Sequence, residues 1–224
     1  MDYIMRYIHG IERRIKKYSS LFYFRLSHKG KSFAVGKNRY AYFSHQYNYT
    51  WINERAIEIP IFLREVEKNK RKDILEIGNV LTHYFSMHHD VLDKYEKGIG
   101  VINKDVEKYK TKKKYDLIIS ISTLEHVGWD EKKKEKRKIQ RSLINLHSML
   151  KKNGKIMFTV PIGHNTFLDE SIKNETLNLT KAIYLMRISP NNFWETTTKA
   201  KAIKNKYNTP FPNANAVMLG IITK

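Results

Sequence analysis

The segment 73–78, with the sequence D-I-L-E-I-G, constrains the fold more than any other part of the chain. Its apolar residues form a short run that follows a charge and ends at a glycine. Such a run is typical of a strand that is buried on both faces of a parallel sheet. Ligands of open α/β sheets bind beyond the carboxyl ends of the strands, so Glu76, Gly78 and Asn79 are predicted to lie beside a cofactor.

The downstream sequence repeats the pattern of an apolar segment that ends in a polar residue. The repeats occur at residues 91–93, 98–105, 115–122 and 155–160. Residues 131–150 separate the last two segments and are predicted to form a long helix that Asn153 and Gly154 stop. Two more strands, at 182–188 and 216–222, are expected on either side of a polar segment. Strands and helices that alternate at this spacing indicate an α/β protein with a doubly wound sheet.

The first 67 residues are predicted to form an extension of helices and a hairpin, in front of a single domain at 68–224. Residues 2–18 carry apolar side chains at helical spacing and basic side chains mostly on other faces. They form either a helix that packs on the domain or a basic amphipathic helix on an anionic membrane. Because Asp2 and Arg6 interrupt the first apolar stretch and no run approaches ~18 apolar residues, we expect a cytoplasmic protein with at most a peripheral contact to the inner membrane face.

Within this extension, a hairpin at 32–43 and a helix at 54–67 are predicted. Pro60 is expected to kink or interrupt the helix, because proline lacks the backbone N–H that a helix interior uses. The aromatic and amide residues before this helix suit stacking on, and hydrogen bonding to, a sugar or a base. Trp51 and Asn53 are therefore predicted to contact the substrate.

The composition describes a chain of 224 residues of which 41% are hydrophobic, enough for one well-buried domain. The formal net charge of +20 favours a nucleic-acid or anionic-membrane partner, although the lysines are spread along the chain. AT-rich coding or a heat-adapted host would explain the same charge without any partner. The absence of cysteine excludes disulfides, a thiolate nucleophile and a cysteine-based zinc site.

The loop after the first strand of the sheet separates two classes of cofactor. A dinucleotide needs G-x-G-x-x-G, because its pyrophosphate approaches backbone amides at a helix N-terminus. Residues 78–83 read G-N-V-L-T-H, with branched side chains where later glycines belong, and no G-K-[ST] follows a strand. The sequence therefore favours an adenosine-bearing ligand without phosphate, held by acids at successive strand ends.

The ordered motifs resemble those of class I S-adenosylmethionine-dependent methyltransferases. They lie at 73–78, 91–93, 101–105, 115–126 and 155–161. The resemblance implies an enzyme with a Rossmann-like fold, a mostly parallel seven-stranded sheet, and S-adenosyl-L-methionine (SAM) as cofactor. The segments N-E-R-A-I-E-I-P, D-V-L-D-K-Y-E, S-T-L-E-H-V-G-W-D-E and P-F-P-N-A-N-A look like those of small bacterial and archaeal enzymes that O-methylate sugars of surface glycans. The implied acceptor is a sugar hydroxyl of a glycan or of its lipid-linked precursor, with the N-terminal extension on the acceptor side.

The resemblance also implies the cofactor contacts. Glu76 would anchor the methionine end, directly or through water, and Gly78 would let the backbone approach it. Asp93 would accept hydrogen bonds from both ribose hydroxyls, and Asp105 would accept one from the adenine amine. Asn79 begins the part of the loop that departs from the family pattern, since further glycines are usual there.

Methyl transfer to a hydroxyl needs alignment of the reactants and a proton acceptor. The resemblance places Ser122 and Thr123 under the sulfonium. His126 follows them and is the first candidate for the base, with Glu125 either orienting it or binding the substrate. His164, after the fifth strand, is the second candidate.

Two neighbours of this segment, Trp129 and Asp130, are expected to wall the acceptor pocket. A divalent metal held by Glu125, His126 and Asp130 is compatible with the sequence, but the spacing does not require one, so no metal site is predicted.

Two other functions fit the same sequence. An RNA methyltransferase is favoured by the net charge of +20 and by Tyr42, Tyr47, Tyr49 and Trp51 as stacking surfaces. A non-catalytic interaction module that kept the fold and lost the cofactor is favoured by the loop at 78–83, which is poor in glycine.

Overall fold

The computed structural model describes residues 18–224, so all but the last residue of the predicted helix at 2–18 lies outside the described part. A small antiparallel hairpin comes first, formed by β1 (Ser32–Val35) and β2 (Asn38–Ala41) as predicted. The remaining strands are β3 (Ile74–Ile77), β4 (Asp90–Leu92), β5 (Val101–Ile102), β6 (Tyr115–Ile121), β7 (Leu150–Pro161), β8 (Lys181–Arg187), β9 (Trp194–Thr197) and β10 (Ala216–Thr223). They form one sheet of eight strands in the order β5-β4-β3-β6-β7-β10-β8-β9.

The sheet confirms the predicted α/β, doubly wound and mostly parallel fold. Strands β3 to β7 pair in parallel, whereas β10 runs antiparallel between β7 and β8. The chain builds outward from β3 to β4 and β5, then returns to add β6 and β7 on the other side. This reversal creates a switch point at the carboxyl ends of β3 and β6, where ligands bind in such sheets.

The large sheet has eight strands, one more than the seven predicted for it. The additional strand, β9, lies in the Asn-rich segment for which no strand was predicted, and it pairs antiparallel with β8 at the sheet edge. Only Trp194 of this strand is buried, and its indole N–H donates to Oδ1 of Asn192 at 2.7 Å. The strand is thus held by its pairing with β8 and by the buried Trp194. With a single buried residue, its sequence shows no clear strand periodicity.

Helices cover both faces of the sheet. They are α1, of which residues 18–28 are described, α2 (Arg55–Lys68), α3 (Lys138–Ser148), α4 (Thr166–Lys173) and α5 (Lys199–Ala202). Helices α3 and α4 close one hydrophobic core, and α2 with the hairpin closes the other. The described part of the predicted extension therefore shares a core with the sheet, and the domain division at residue 67 stays a prediction.

Helix α2 passes through Pro60 without a break, so the predicted interruption is wrong. Proline removes the N–H that would bond to the carbonyl four residues earlier, which here belongs to Ala56. That carbonyl accepts instead from the backbone N–H of Phe43, at 2.9 Å. The helix therefore continues because a neighbouring segment supplies the missing donor.

The helix predicted at 131–150 is confirmed only from Lys138 to Ser148. The chain before it is irregular, and the backbone N–H of Glu135 donates to the carbonyl of Gly128 at 2.8 Å. At the other end, Leu150 already pairs with Tyr115 as the first residue of β7. The predicted stop at 153–154 lies inside β7, where the register with β6 shifts.

Candidate cofactor and acceptor site

A cavity of about 520 Å³ opens at the carboxyl ends of β3, β4 and β5, beside the segment that follows β6. Its volume falls within the range of small-molecule sites. The lining residues are Ile77, Gly78, Asn79, Val80, Leu92, Asp93, Lys94, Tyr95, Glu96, Lys104, Asp105, Val106, Thr123, His126, Val127, Asp130 and Glu131. Seven of the predicted site residues thus share one cleft: Gly78, Asn79, Asp93, Asp105, Thr123, His126 and Asp130.

The cavity is acidic although the chain as a whole is strongly basic. Its walls carry five carboxylates and two lysines, in a chain of formal net charge +20. A cleft lined by one sign of charge concentrates ligands of the opposite sign. The cavity therefore favours a cationic ligand and disfavours a phosphate.

Asp93, at the end of β4, joins the loops on both sides of the cavity. Its Oδ1 accepts from the backbone N–H of Tyr95 at 2.8 Å and of Glu96 at 2.7 Å, and its Oδ2 accepts from that of Asn79 at 3.2 Å. A carboxylate offers about four acceptor positions, so Oδ2 keeps one for a ligand. The side chain is both a structural tie and a candidate contact to a hydroxyl.

Glu76 does not line the cavity, so the structure does not support its predicted contact to a cofactor. The side chain is fully buried, and Oε1 accepts from the backbone N–H of Val80 at 3.1 Å and of Leu81 at 2.8 Å. Its Oε2 accepts from Nε2 of His89 at 2.7 Å. Glu76 thus satisfies the amides of the loop that lacks the later glycines and holds that loop in place.

Position 78 must be a glycine because Thr123, at the end of the neighbouring strand, leaves no room for a side chain. The φ of Gly78 is +83°, and a Cβ at this position would lie 2.3 Å from Oγ1 of Thr123. Any other residue would force the ends of β3 and β6 apart. Gly78 and Thr123 both line the cavity, and the predicted approach of the Gly78 backbone to a cofactor stays a prediction.

Asp105 belongs to a network of two acids and two lysines at one wall. Lys138 contacts Asp105 at 2.8 Å and Glu131 at 2.6 Å, and Lys94 contacts the same two acids at 2.9 and 2.8 Å. Burial alone would raise the pKa of Asp105, but the hydrogen bonds from Lys138 and Lys94 bring it to about 2. Its Oδ1 accepts only from the N–H of Glu107, at 3.0 Å, so one acceptor position remains for the predicted contact to an adenine amine.

Ser122 does not line the cavity and its hydroxyl bonds toward α2, so the structure gives no support to its predicted place under the sulfonium. Its φ is +36°, an unusual value for a residue with a side chain. The hydroxyl donates to Oε1 of Glu58 at 2.6 Å, and the carbonyl accepts from Arg55 at 3.3 Å. Arg55 and Glu58 also form an ion pair at 2.5 Å, with the Glu58 side chain fully buried.

This brace, formed by Arg55, Glu58 and Ser122, is the part of the site that the sequence analysis missed. It fixes the turn that leads from β6 to Thr123 and His126. The signal was two opposite charges three residues apart in the first half of α2, where the other residues are apolar. Burying a charge is unfavourable unless it is paired, so such a pair indicates a specific partner.

His126 and Asp130 form a pair at the cavity wall. Oδ2 of Asp130 lies 2.5 Å from Nδ1 of His126, whose side chain is 47% exposed. The Glu125 carboxyl is 3.6 Å from Nε2, too far for a hydrogen bond. Asp130, not Glu125, therefore orients the imidazole. Trp129 is absent from the cavity lining and packs on Phe167, so its predicted wall position is not supported.

The second candidate base, His164, lies next to the first. Its ring is 5.0 Å from that of His126 and 5.0 Å from that of Tyr207. Burial, together with the neighbouring His126, lowers the pKa of His164. Burial raises the pKa of Tyr207 to about 12. Both side chains are therefore neutral hydrogen-bonding groups near pH 7.

Trp51 and Asn53 are buried, so the structure gives no support to their predicted contact with substrate. The indole N–H of Trp51 donates to Oγ of Ser20 at 3.0 Å, beneath α1. The Asn53 amide donates to the carbonyl of Asn48 at 2.8 Å and accepts from the N–H of Arg55 at 3.0 Å. Both side chains fix the start of α2 instead of facing a ligand.

Within residues 18–224, no set of three or more His, Asp or Glu side chains is grouped so that it could hold a metal ion. In the same part of the chain, no helix combines the length and the apolarity needed to cross a bilayer.

The chain is similar to several solved structures of methyltransferases. The N-methyltransferase NodS from Bradyrhizobium japonicum, crystallised with S-adenosyl-L-homocysteine, is 15% identical with a TM-score of 0.46, over 76% of this chain and 91% of that one. A SAM-dependent methyltransferase from Thermotoga maritima, described as a possible histamine N-methyltransferase, is 13% identical with a TM-score of 0.41, over 73% and 89%. The plantazolicin methyltransferase BpumL is 12% identical with a TM-score of 0.42, over 76% and 86%.

No protein-family model and no curated protein sequence matches the chain. At sequence identities of 12–15%, these similarities concern only the path of the backbone. The functional proposal therefore rests on the site itself.

Proposed function

We propose that the chain is a SAM-dependent methyltransferase. One observation carries this proposal: a cavity at the switch point of the sheet has five carboxylates and two lysines in its walls, in a chain of net charge +20. SAM combines an adenosine with a positively charged sulfonium and has no phosphate. An acidic cavity attracts such a ligand, whereas nucleotides and dinucleotides would be repelled.

The residues of the cavity fit this cofactor. Asp93 has an acceptor position left for a ribose hydroxyl, and hydrogen bonds to such a charged acceptor are strong. Apolar side chains suited to an adenine ring come from the ends and loops of β3 to β6: Ile77, Val80, Leu92, Val106 and Val127. The acids around them supply negative charge for the sulfonium.

His126 is the proposed base. Bound SAM supplies a methyl group on sulfur, which is transferred in line to an acceptor oxygen while the S–C bond breaks. His126 takes the proton of the acceptor hydroxyl on Nε2, because Nδ1 is engaged by Asp130. The brace of Arg55, Glu58 and Ser122 keeps Thr123 and His126 in place, which supports the alignment on which the rate depends.

A sugar hydroxyl is the proposed acceptor. The neutral side chain of His164 lies beside the imidazole of His126, and Tyr207 adds an aromatic ring close to His164. Aromatic rings and neutral polar groups suit a sugar, which presents apolar ring faces and hydroxyls. If the sugar is lipid-linked, the protein would bind it at the membrane surface.

A peripheral contact with the cytoplasmic membrane face is proposed on the basis of α1. This helix exposes four large apolar side chains: Tyr18, Phe22, Tyr23 and Leu26. Tyrosine and apolar side chains suit the membrane interface, and the positive net charge favours anionic lipids.

RNA is the second candidate acceptor. Tyr47 and Tyr49 are 46% and 43% exposed, and Tyr47 stacks on His83 with ring centroids 4.3 Å apart. Exposed rings of this kind stack on unpaired bases. Binding of RNA that weakens steeply with salt would favour this candidate over a sugar.

The proposal is tested by incubating the full chain with SAM that carries a labelled methyl group, and with panels of neutral glycosides and of RNA. Label transfer to glycosides, with formation of S-adenosyl-L-homocysteine, is the expected result. No binding of SAM at millimolar concentration would favour the non-catalytic module that has lost the cofactor.

A further inference from the structure

One buried carboxyl beside the proposed base has an oxygen without a partner. The Glu125 residue is only 2% exposed, and among the described residues its Oε2 has no hydrogen-bond partner. Buried polar groups are nearly always hydrogen-bonded, because leaving one unpaired costs free energy. An unpaired carboxyl oxygen at this place therefore points to a ligand that pairs with it.

The position of Glu125 is fixed by the elements around it. It lies in a single turn of 3₁₀ helix, Leu124–His126, and its backbone carbonyl accepts from the amide of Asn165 at 2.6 Å. Asn165 also caps the N-terminus of α4, since its Oδ1 accepts from the N–H groups of Phe167 and Leu168. The carboxyl is thus held by a packed scaffold and not by a mobile loop.

The second carboxyl oxygen faces the imidazole. Oε1 of Glu125 lies 3.6 Å from Nε2 of His126, the nitrogen assigned to the acceptor proton. His164, whose ring is 5.0 Å from His126, has a buried Nδ1 that also lacks a partner within the described residues. Two side chains next to the proposed base therefore each carry a buried polar atom without a partner among the described residues.

The surroundings of Glu125 favour its neutral form, since burial raises its pKa. Glu54, Glu58 and Glu125 are buried around one cation, Arg55, whose hydrogen bonds go to Glu58 and to the carbonyl of Ser122. Burial raises the pKa of Glu125 well above its ordinary value, and the distant attraction of Arg55 does not offset it. A neutral carboxyl both donates and accepts a hydrogen bond, as a hydroxyl partner requires.

We propose that Glu125 binds a second hydroxyl of the acceptor, on the carbon next to the hydroxyl that His126 deprotonates. The substrate class is therefore an uncharged sugar with two adjacent free hydroxyls, and this proposal rests on the proposed methyl transfer. The short separation of Oε1 and Nε2 suits two oxygens on neighbouring carbons. Sugar phosphates are disfavoured because the acids of the site repel them.

The test compares acceptors that differ by one hydroxyl. The full chain is assayed with methyl-labelled SAM and a panel of neutral methyl glycosides, followed by deoxy analogues of the best acceptor. For the wild type, removal of the neighbouring hydroxyl is expected to lower kcat/KM by at least ~100-fold, since the carboxyl is then left unpaired. Removal of a distant hydroxyl is expected to have an effect below about 5-fold.

Variants of Glu125 test whether its side chain causes the preference for the diol acceptor over the deoxy acceptor. In Glu125→Ala the preference for the diol over the deoxy acceptor is expected to fall below about 3-fold, because the deleted group carried it. Glu125→Gln, which keeps one donor and one acceptor, is expected to retain most of the preference. Affinity for SAM is expected to stay within about 3-fold in both variants, since Glu125 is not in the lining of the cofactor cavity.

The outcomes separate this proposal from the one on which it rests. Transfer to a glycoside with an unchanged diol preference in Glu125→Ala overturns the role of Glu125 and leaves the methyltransferase intact. Wild-type transfer that is equally fast to the deoxy acceptor overturns it even if the variants fail to fold. Absence of SAM binding by the wild type overturns the proposed function, and this proposal with it.

Discussion

Oδ2 of Asp130 lies 2.5 Å from Nδ1 of His126, four residues earlier in the chain. This contact fixes which ring nitrogen carries the hydrogen, because an ionised carboxylate only accepts. Nε2 is left for a proton from the acceptor. Both residues line the acidic cavity, so the imidazole joins the proposed cofactor site to the acceptor side.

Replacement of His126 by alanine is expected to reduce turnover by about 10²–10⁴-fold, the usual contribution of a general base. SAM affinity is expected to change by less than about 3-fold, because the assigned role is toward the acceptor. Steady-state kinetics and calorimetry measure the two effects. Asp130→Asn is the companion variant, which should show a smaller loss of kcat because the ring is only reoriented. Full activity of His126→Ala would remove the residue as the base.

Asp93→Ala is expected to weaken SAM binding by about 10- to 100-fold, since a hydrogen bond to a charged group contributes about 1.5–3 kcal/mol. Calorimetric titration gives the affinity. Because Asp93 also ties down the N–H groups of Asn79, Tyr95 and Glu96, the thermal midpoint of the variant is measured in parallel. Unchanged affinity in a folded variant rejects the assignment to the ribose.

The sequence was sufficient for features that follow from parallel-sheet topology. Strand ends that carry acids must meet at one edge, so Asp93, Asp105 and His126 were predicted together and do line one cavity. The brace was not predictable in this way, because Glu58 and Ser122 are 64 residues apart and meet only when α2 packs on the sheet. Glu76 shows the same limit: the sequence places it at the strand end but does not show that the amides of Val80 and Leu81 occupy it.

Arg55→Met is expected to destabilise the fold by about 3–5 kcal/mol, because it leaves buried carboxylates without their cation. The free energy of unfolding is measured with urea at pH 7. The matched control is Lys136→Met, which breaks an ion pair with Glu170 whose side chains are 60% and 54% exposed. That change is expected to stay below about 1 kcal/mol. Equal effects of the two substitutions would contradict the role of Arg55 as the central buried cation.

The stability contributed by Asp105 is expected to depend on pH. Its pKa is lowered from the ordinary value of 3.8 to about 2, so the stabilisation is present above pH 3.8 and is lost as the pH falls through 2. At pH 6, Asp105→Asn should therefore be less stable than the wild type by roughly 2 kcal/mol. The difference should shrink below about 1 kcal/mol near pH 2.5. Urea titrations at both values measure it, and a gap that does not vary with pH would exclude the two lysines as its cause.

Membrane contact is expected to depend on the exposed face of α1. The double variant Phe22→Ser and Tyr23→Ser removes side chains that are 64% and 69% exposed, and should reduce co-sedimentation with phosphatidylglycerol vesicles by at least about 5-fold. Ile144→Ser, at a residue 69% exposed on α3, is the control and should have little effect. Deletion of residues 1–17 should spare SAM binding. If vesicle binding survives both the deletion and the double variant, the membrane proposal is wrong.

The most direct test of the central claim is a calorimetric titration of the full chain with SAM, and with NAD⁺ as the comparison ligand. The acidic cavity predicts one site for SAM with a dissociation constant below ~100 µM, a value in the usual range of enzyme affinities for their substrates. It predicts no binding of NAD⁺. The carboxylates of the cavity would repel the pyrophosphate, and the protein has no glycine-rich loop to bind it. Binding of NAD⁺ in place of SAM, or no heat with SAM at about 1 mM, would contradict the account.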